Sequence, residues 1–360
     1  GSAAGIARVI RFAGFLCGSN VAPGRLAAHA RQLGCSPVGA VHGGDKLGFT
    51  VYNAPQIVAM GQEYRKGSRA DGFVQIRSDQ QMDIEIAPMD NDFKPVLRSG
   101  RIPPGELFDV RIEEAEVRVI VDTRETKNPL NNDHHVIITI EGPGTTSGYW
   151  GLGFYAHEPG ATSSFDGWVA SLNGRFVSGQ ENRGFVSGDN DKSVGEPGTA
   201  NNIITVAAYN TKNSWIDING KIHDQSRAIT LGARSSFSSL GPSRDGRQKP
   251  ELAAPGLFIA SALTTDIPIG SNSIPEPEVA QGGFYQLLAG TSAACPHVAG
   301  IAALLLEHNP LLDYAALMEL FAATARTDRF TGRGPSFAWG FGKIDGYGAV
   351  VEAVRTAPAE

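Results

Sequence analysis

The chain has 360 residues and a formal charge of -6, with 31 Lys and Arg against 37 Asp and Glu and no basic cluster, which excludes nucleic acid as its main partner. Its longest apolar run, Val298 to Leu306, is far too short to span a bilayer, and its three cysteines, at unpatterned spacing, give neither a disulfide framework nor a zinc site. The length leaves room for two or three domains, each able to bury a core.

The first residues, Gly1-Ser2, bring no initiator methionine and no signal peptide. A processed product, a tagged chain or a partial reading frame would begin this way. Residues 1 to 70 carry little pattern beyond Gly24 to Gly34, which has helical spacing and a glycine stop. From 71 to 193 the texture changes to short alternating runs: Phe73 to Arg77, Met82 to Ile86, Val117 to Val121 and Val136 to Ile140. Turn-forming clusters separate them, among them Asn128-Pro-Leu-Asn-Asn-Asp133. Period two with one polar face predicts an antiparallel sandwich or jelly roll, with Trp150, Phe154, Phe165, Trp168 and Phe176 supplying much of its core.

Beyond residue 194, Gly283 to Leu288 is a predicted strand, and Val298 to Leu306 is apolar on every side, the mark of a helix buried all round. Between them lies Gly290-Thr-Ser-Ala-Ala-Cys-Pro-His-Val-Ala-Gly300. Ser292 therefore falls at a strand-to-helix turn, where backbone N–H groups and the positive end of the helix dipole suit an oxyanion. Cys295 is expected to be a small buried packing residue.

This segment resembles the serine-bearing motif of the subtilisin-like serine peptidases, the subtilases. Further blocks resemble the same family in order and spacing: Asn202 to Tyr209 its core strand, Ser235 to Pro242 with Lys249 to Gly256 its next segments, and Trp339 to Gly348 the run into its terminal helix. The resemblance implies an α/β, parallel-sheet fold of subtilisin type over 194 to 360, with Ser292 as catalytic nucleophile. It also implies that residues 71 to 193 are a jelly-roll-like domain inserted into that fold, as some bacterial subtilases carry. The run Ser187 to Asp191, then Val194 to Ala200, marks the return.

Peptide hydrolysis by a serine needs a base, an acid that orients the base, and oxyanion donors. In the subtilases an aspartate motif comes first, a His-Gly-Thr motif second, the serine last. Neither of the first two is found here. Asp122, in Val119-Ile-Val-Asp-Thr123, is followed by Arg124 where the family has glycine, and is expected to be a strand-end carboxylate. His42, in Val41-His-Gly-Gly44, lacks the threonine and precedes Asp122, reversing the family order. Within the motif, His297 is expected to be structural. His134 and His135 are strand neighbours pointing to opposite faces; His29, His157, His223 and His308 show no motif and read as surface or helix-end residues. Gly188-Asp-Asn190 superficially matches the family's oxyanion asparagine motif, but Asn190 fits a turn.

The sequence thus predicts the C-terminal portion of a serine endopeptidase acting on protein or peptide substrates, its acid and base carried by an upstream segment, and inactive alone. The alternative is a noncatalytic relative whose β-domain binds protein or glycan. The acidic turns Asp90-Asn-Asp92 and Asp189-Asn-Asp191 read as capped turns, so no metal or cofactor is assigned. Export is typical of the family, and the sequence leaves the compartment open.

Overall fold

The computed structural model describes residues 38–40, 56–62 and 69–356, the last with breaks at 91, 93, 113–116, 125–126, 130, 144–147, 159–164, 170–173, 177–190 and 196. His29, His42, Asn190, Cys17, Cys35 and the helix expected over 24–34 lie outside the described residues. Two compact units are formed, one within Gly1–Gly43 and Val194–Glu360, the other within Gly44–Ser193.

Among the described residues, the first strand of the first unit is β1 (Val38–Ala40). The second unit then contributes β2 (Gln56–Gln62), β3 (Arg69–Ser78), β4 (Met82–Met89), β5 (Leu107–Ile112), β6 (Val117–Asp122), β7 (His134–Pro143), β8 (Gly148–Ala156), β9 (Phe165–Val169) and β10 (Gly174–Phe176). They pair antiparallel into a five-stranded sheet, β5-β6-β7-β3-β9, and a four-stranded sheet, β10-β2-β8-β4. The alternation read in the sequence sets which side chains turn inward. Val117, Val119 and Val121 of β6 and Val136, Ile138 and Ile140 of β7 meet Met82, Ile84 and Ile86 of β4 and Leu152 and Phe154 of β8 in a single cluster. Both sheets supply that core, so they lie face to face. Of the rings expected in the core, Trp150, Phe154 and Phe165 are buried and Trp168 is half-buried, its indole N–H reaching the Lys192 carbonyl at 2.8 Å; the side chain of Phe176 lies outside the described residues.

Returning to the first unit, β11 (Ile204–Asn210) is buried along nearly its whole length, as a central parallel strand should be. A hairpin, β12 (Ser214–Ile216) and β13 (Ile222–Asp224), follows; then come β14 (Leu252–Leu257), β15 (Ile259–Ala262) and β16 (Tyr285–Leu288). Among the described residues the α-helices are α1 (Thr291–His308), α2 (Tyr314–Thr324) and α3 (Gly346–Thr356). β1, β11 and β14 form a parallel sheet, with Val38 opposite Ile204 and Val206 opposite Leu252. Ile204, Val206, Ala208, Leu252 and Ala254 pack against Cys295, Val298, Ala302 and Leu305 of α1 and Phe321 of α2. Small alanines at the contact let helix and sheet approach closely. Cys295 is 1% exposed, within this core. Contrary to the expectation of burial on every side, Leu304 is 56% exposed; α1 covers the sheet with one flank and meets α3 with another, which leaves this position facing outward.

The register of β14 against β11 is pinned by a buried ion pair. Lys249 Nζ lies 2.5 Å from Glu251 Oε1, and both residues are buried. Glu251 Oε2 accepts the Thr205 N–H at 2.7 Å, and Lys249 Nζ donates to the Ile203 carbonyl at 2.8 Å. Burial pushes the Glu251 carboxyl above the usual range, outweighing Lys249. The phenol of Tyr314 is pushed up to about 12 by burial and by the neighbouring Glu251.

Candidate active site

Strand β16 delivers the chain to Gly290, the N-cap of α1, where φ is 146° and ψ 162°. That region is essentially closed to residues with a side chain. The Gly290 N–H donates to the Gly256 carbonyl at 2.8 Å, and the Gly290 carbonyl accepts from Ala293 N–H at 3.0 Å. The turn is thereby tied to the C-terminal end of β14. A Cβ at Gly256 would lie 2.5 Å from Ala208 Cβ and 3.0 Å from the Gly290 oxygen, so the missing side chain is what permits the approach.

Ser292 occupies the first turn of α1 and is exposed, with buried Thr291 and Ala293 on either side. Gly290 supplies no side-chain cap. A helix start of this kind presents backbone donors and a positive dipole end, the arrangement that stabilises an oxyanion forming beside a nucleophile. Pro296 stands four residues on, so the Ser292 carbonyl has no i+4 donor. Thr291 is 2% exposed, and its Oγ1 has no hydrogen-bond partner among the described residues.

The other residues weighed in the sequence fall elsewhere. Asp122 ends β6 in the second unit and is held by Arg124, with contacts of 3.0 and 2.8 Å to its two oxygens; that guanidinium lowers its carboxyl below the usual range. His134 and His135 are also in the second unit, and burial lowers the imidazole of His134. His157 pairs with Asp83 at 2.6 Å there. In the first unit, the His297 ring approaches the Ala293 carbonyl at 3.0 Å; a carbonyl only accepts, so Nδ1 carries the proton. His308 closes α1, 16 residues beyond Ser292 and thus about 24 Å along the axis.

His223 is a correction. It is not a bare surface residue: Nε2 lies 2.7 Å from Asp217 Oδ2, with side chains 18% and 4% exposed, and the ring stacks on Trp215 at 4.9 Å. Trp215 in turn packs on Phe258, at 4.4 Å between ring centres. The sequence signal was Asn219-Gly220: Gly220 N–H donates to the Asp217 carbonyl at 3.0 Å, and the positive φ of 78° at Gly220 closes the hairpin that brings the two side chains together.

A family model described as "Subtilase family" matches residues 162–342, half of the chain, a span that contains β11, β14 and the Ser292 turn. The chain belongs to the subtilase family. Membership places it among serine peptidases at the level of the family. Serine protease AprX of Bacillus subtilis is 30% identical over 164 residues, covering 46% of this chain and 33% of that protein. An uncharacterized protein of Aquifex aeolicus is 33% identical over 161 residues, 45% of this chain and 66% of its own length. A subtilisin-like protease of Arabidopsis thaliana, SBT4.3, is 38% identical over 115 residues, 31% of this chain and 15% of that protein. The chain thus matches between 15% and 66% of the length of these relatives. In fold it is similar to the Clostridium perfringens CspB protease, with a TM-score of 0.62 at 18% identity, covering 89% of this chain and 60% of that one.

Proposed function

We propose that this subtilase chain is the C-terminal portion of a serine endopeptidase in which Ser292 is the nucleophile. The observation that carries the reading is an exposed serine between buried neighbours in the first turn of a helix that packs on the parallel sheet, at the carboxyl end of one of its strands. In the reaction, Ser292 Oγ attacks the scissile carbonyl carbon while its proton passes to a histidine base. The oxyanion forms beside the α1 N-terminus. Collapse expels the amine, which takes that proton. Water then attacks the acyl ester, loses a proton to the same base, and releases the acid with the serine restored.

The aspartate and histidine motifs do not precede Ser292 in the family's order. The base and its orienting acid are therefore assigned to an upstream segment, and the 360-residue chain alone to an inactive state. Residues 71–193 are read as an inserted jelly-roll-like domain, extended to take in β2 (Gln56–Gln62) and the start of β3, and 194–360, together with β1, as the C-terminal part of the catalytic fold; two face-to-face antiparallel sheets support the first of these. A second reading, in which the β-unit binds protein or glycan without catalysis, draws support from a cavity of about 550 Å³ in that unit, lined by Ser78, Gln81, Thr123, Lys127, His134 and Glu158 among others.

A fluorophosphonate distinguishes the two, because it reacts only with activated serines. The 360-residue chain is expected to remain unlabelled. A chain lengthened upstream through its reading frame is expected to label stoichiometrically, and to lose the label in Ser292→Ala. Labelling of the 360-residue chain at Ser292 would refute the missing base; a lengthened chain that never labels would favour the binding protein.

A further inference from the structure

Successive residues of a strand face opposite sides of its sheet. Ile204, Val206, Ala208, Leu252 and Ala254 face α1, so Ala207, Tyr209 and Ala253 face away. A parallel sheet needs cover on both faces. On this second face the cover is Trp339, Tyr209 and Phe330, and a lysine stands in their midst.

Lys343 Nζ lies 4.7 Å from the ring centre of Tyr209, 5.1 Å from that of Trp339 and 5.3 Å from that of Phe330. It donates to the Gly232 carbonyl at 2.7 Å and to Asp328 Oδ2 at 2.6 Å, and the residue is 8% exposed. A buried lysine requires a carboxylate; three aromatic faces directed at one ammonium are more than an ion pair requires, and match the way proteins bind alkylammonium ligands. The surroundings are built to the same end. Asp328 is fixed by the N–H groups of Phe330 and Thr331, at 2.8 and 3.2 Å from Oδ1. Gly232, at φ 84°, brings its backbone where a Cβ would meet Phe330 at 2.9 Å and Nζ at 3.5 Å.

The cage draws on four stretches of chain: the end of β11, the loop at Gly232, the loop after α2, and the run from Trp339 to Lys343. That last run lies along β14: Ala253 N–H donates to the Gly342 carbonyl at 2.9 Å and Ile344 N–H to the Ala253 carbonyl at 2.8 Å. Lys343 also exchanges both backbone hydrogen bonds with Arg326, at 2.8 and 2.9 Å. We propose that this is a cation site of the fold in its own right, an aromatic cage for a small alkylammonium, occupied in cis by Lys343. The captive ammonium fastens the 326–345 segment to the edge of β14.

Lys343→Ala removes the atoms from Cγ to Nζ, which n-propylammonium replaces. Thermal unfolding of wild type, Lys343→Ala and the neutral near-isostere Lys343→Met would be compared in sodium chloride and in n-propylammonium chloride at equal ionic strength, with n-propanol as uncharged control. Both variants are expected to unfold roughly 5 °C below wild type. n-Propylammonium should restore at least half of that loss to Lys343→Ala, saturably, and nothing to Lys343→Met, whose side chain fills the cage; n-propanol should restore neither. A Lys343→Met midpoint equal to wild type would overturn the proposal, as would recovery with propanol equal to that with the amine. Should Lys343→Ala fail to fold, the wild-type chain carrying 13C-lysine decides: ring currents should move the Lys343 ε-protons upfield of all exposed lysines, and coincidence with them would overturn the cage.

Discussion

Gly290→Ala isolates the backbone geometry of the Ser292 turn. A Cβ there would meet nothing nearer than the Ser292 nitrogen at 3.7 Å, so the change introduces no collision. What it introduces is a side chain at φ 146°, ψ 162°. Holding a non-glycine residue in such a region costs about 1–3 kcal/mol. Relief of the strain would require moving the N–H that reaches Gly256 or the carbonyl that receives Ala293. Cys295, four residues into α1 from Thr291 and 1% exposed, reports the opening of this helix without disturbing it. Its modification by a thiol reagent under native conditions, resolved from Cys17 and Cys35 by peptide mass, should accelerate roughly 5- to 150-fold, the factor corresponding to that free energy. A Gly290→Ala chain whose Cys295 reacts at the wild-type rate would refute the assigned geometry of the turn.

Gly256→Ala is the steric counterpart: at an ordinary φ, its Cβ would press on Ala208 and the Gly290 oxygen, and overpacking here should lower stability by about 1–3 kcal/mol in urea unfolding; no loss would mean that β14 and the turn are not in contact. Asp217→Asn tests the hairpin pair by pH. The hydrogen bond from His223, helped by the N–H groups of Lys221 and Asn219, holds the Asp217 carboxyl below its usual value. A depressed acid stabilises the fold above its unfolded pKa of about 4, and that contribution is lost as pH falls through the folded value. Asp217→Asn should therefore flatten the acid limb of the unfolding midpoint, while an unchanged limb would remove the pair from the account.

Ser292 and its surroundings were legible because one short run carries several independent signals. Strand, glycine turn, serine and apolar helix follow one another within Gly283 to Leu306, and their order forces the geometry. The alternating strands of the second unit were legible for the same reason, period two being hard to mistake. β5 was not, since its positions are mostly exposed and keep no apolar face. β8, Gly148–Ala156, mixes glycine with aromatics and is buried on both sides at Leu152 and Gly153, which hides its period. The Asp217–His223 pair depended on a five-residue hairpin loop between strands of three residues, too short for any periodicity to announce. The cage around Lys343 could not be read at all, because its rings come from positions 209, 330 and 339, which only the folded sheet edge brings together.

These separate features converge on β14. Its start is locked to β11 by Glu251, which receives the Thr205 N–H. Its outer edge is covered by residues 342–344, held down through Lys343. Its end carries Gly256, from which the Gly290 turn hangs by one backbone hydrogen bond. In its proposed role as nucleophile, Ser292 would gain its rate from placement to within a fraction of an ångström relative to its oxyanion donors. Ser292 rides on a turn too short to position itself, so its placement is inherited from the strand. A strand fixed at its start, its edge and its end has no register left to slip, and the buried ion pair, the caged ammonium and the two glycines are then parts of one device for holding that serine still.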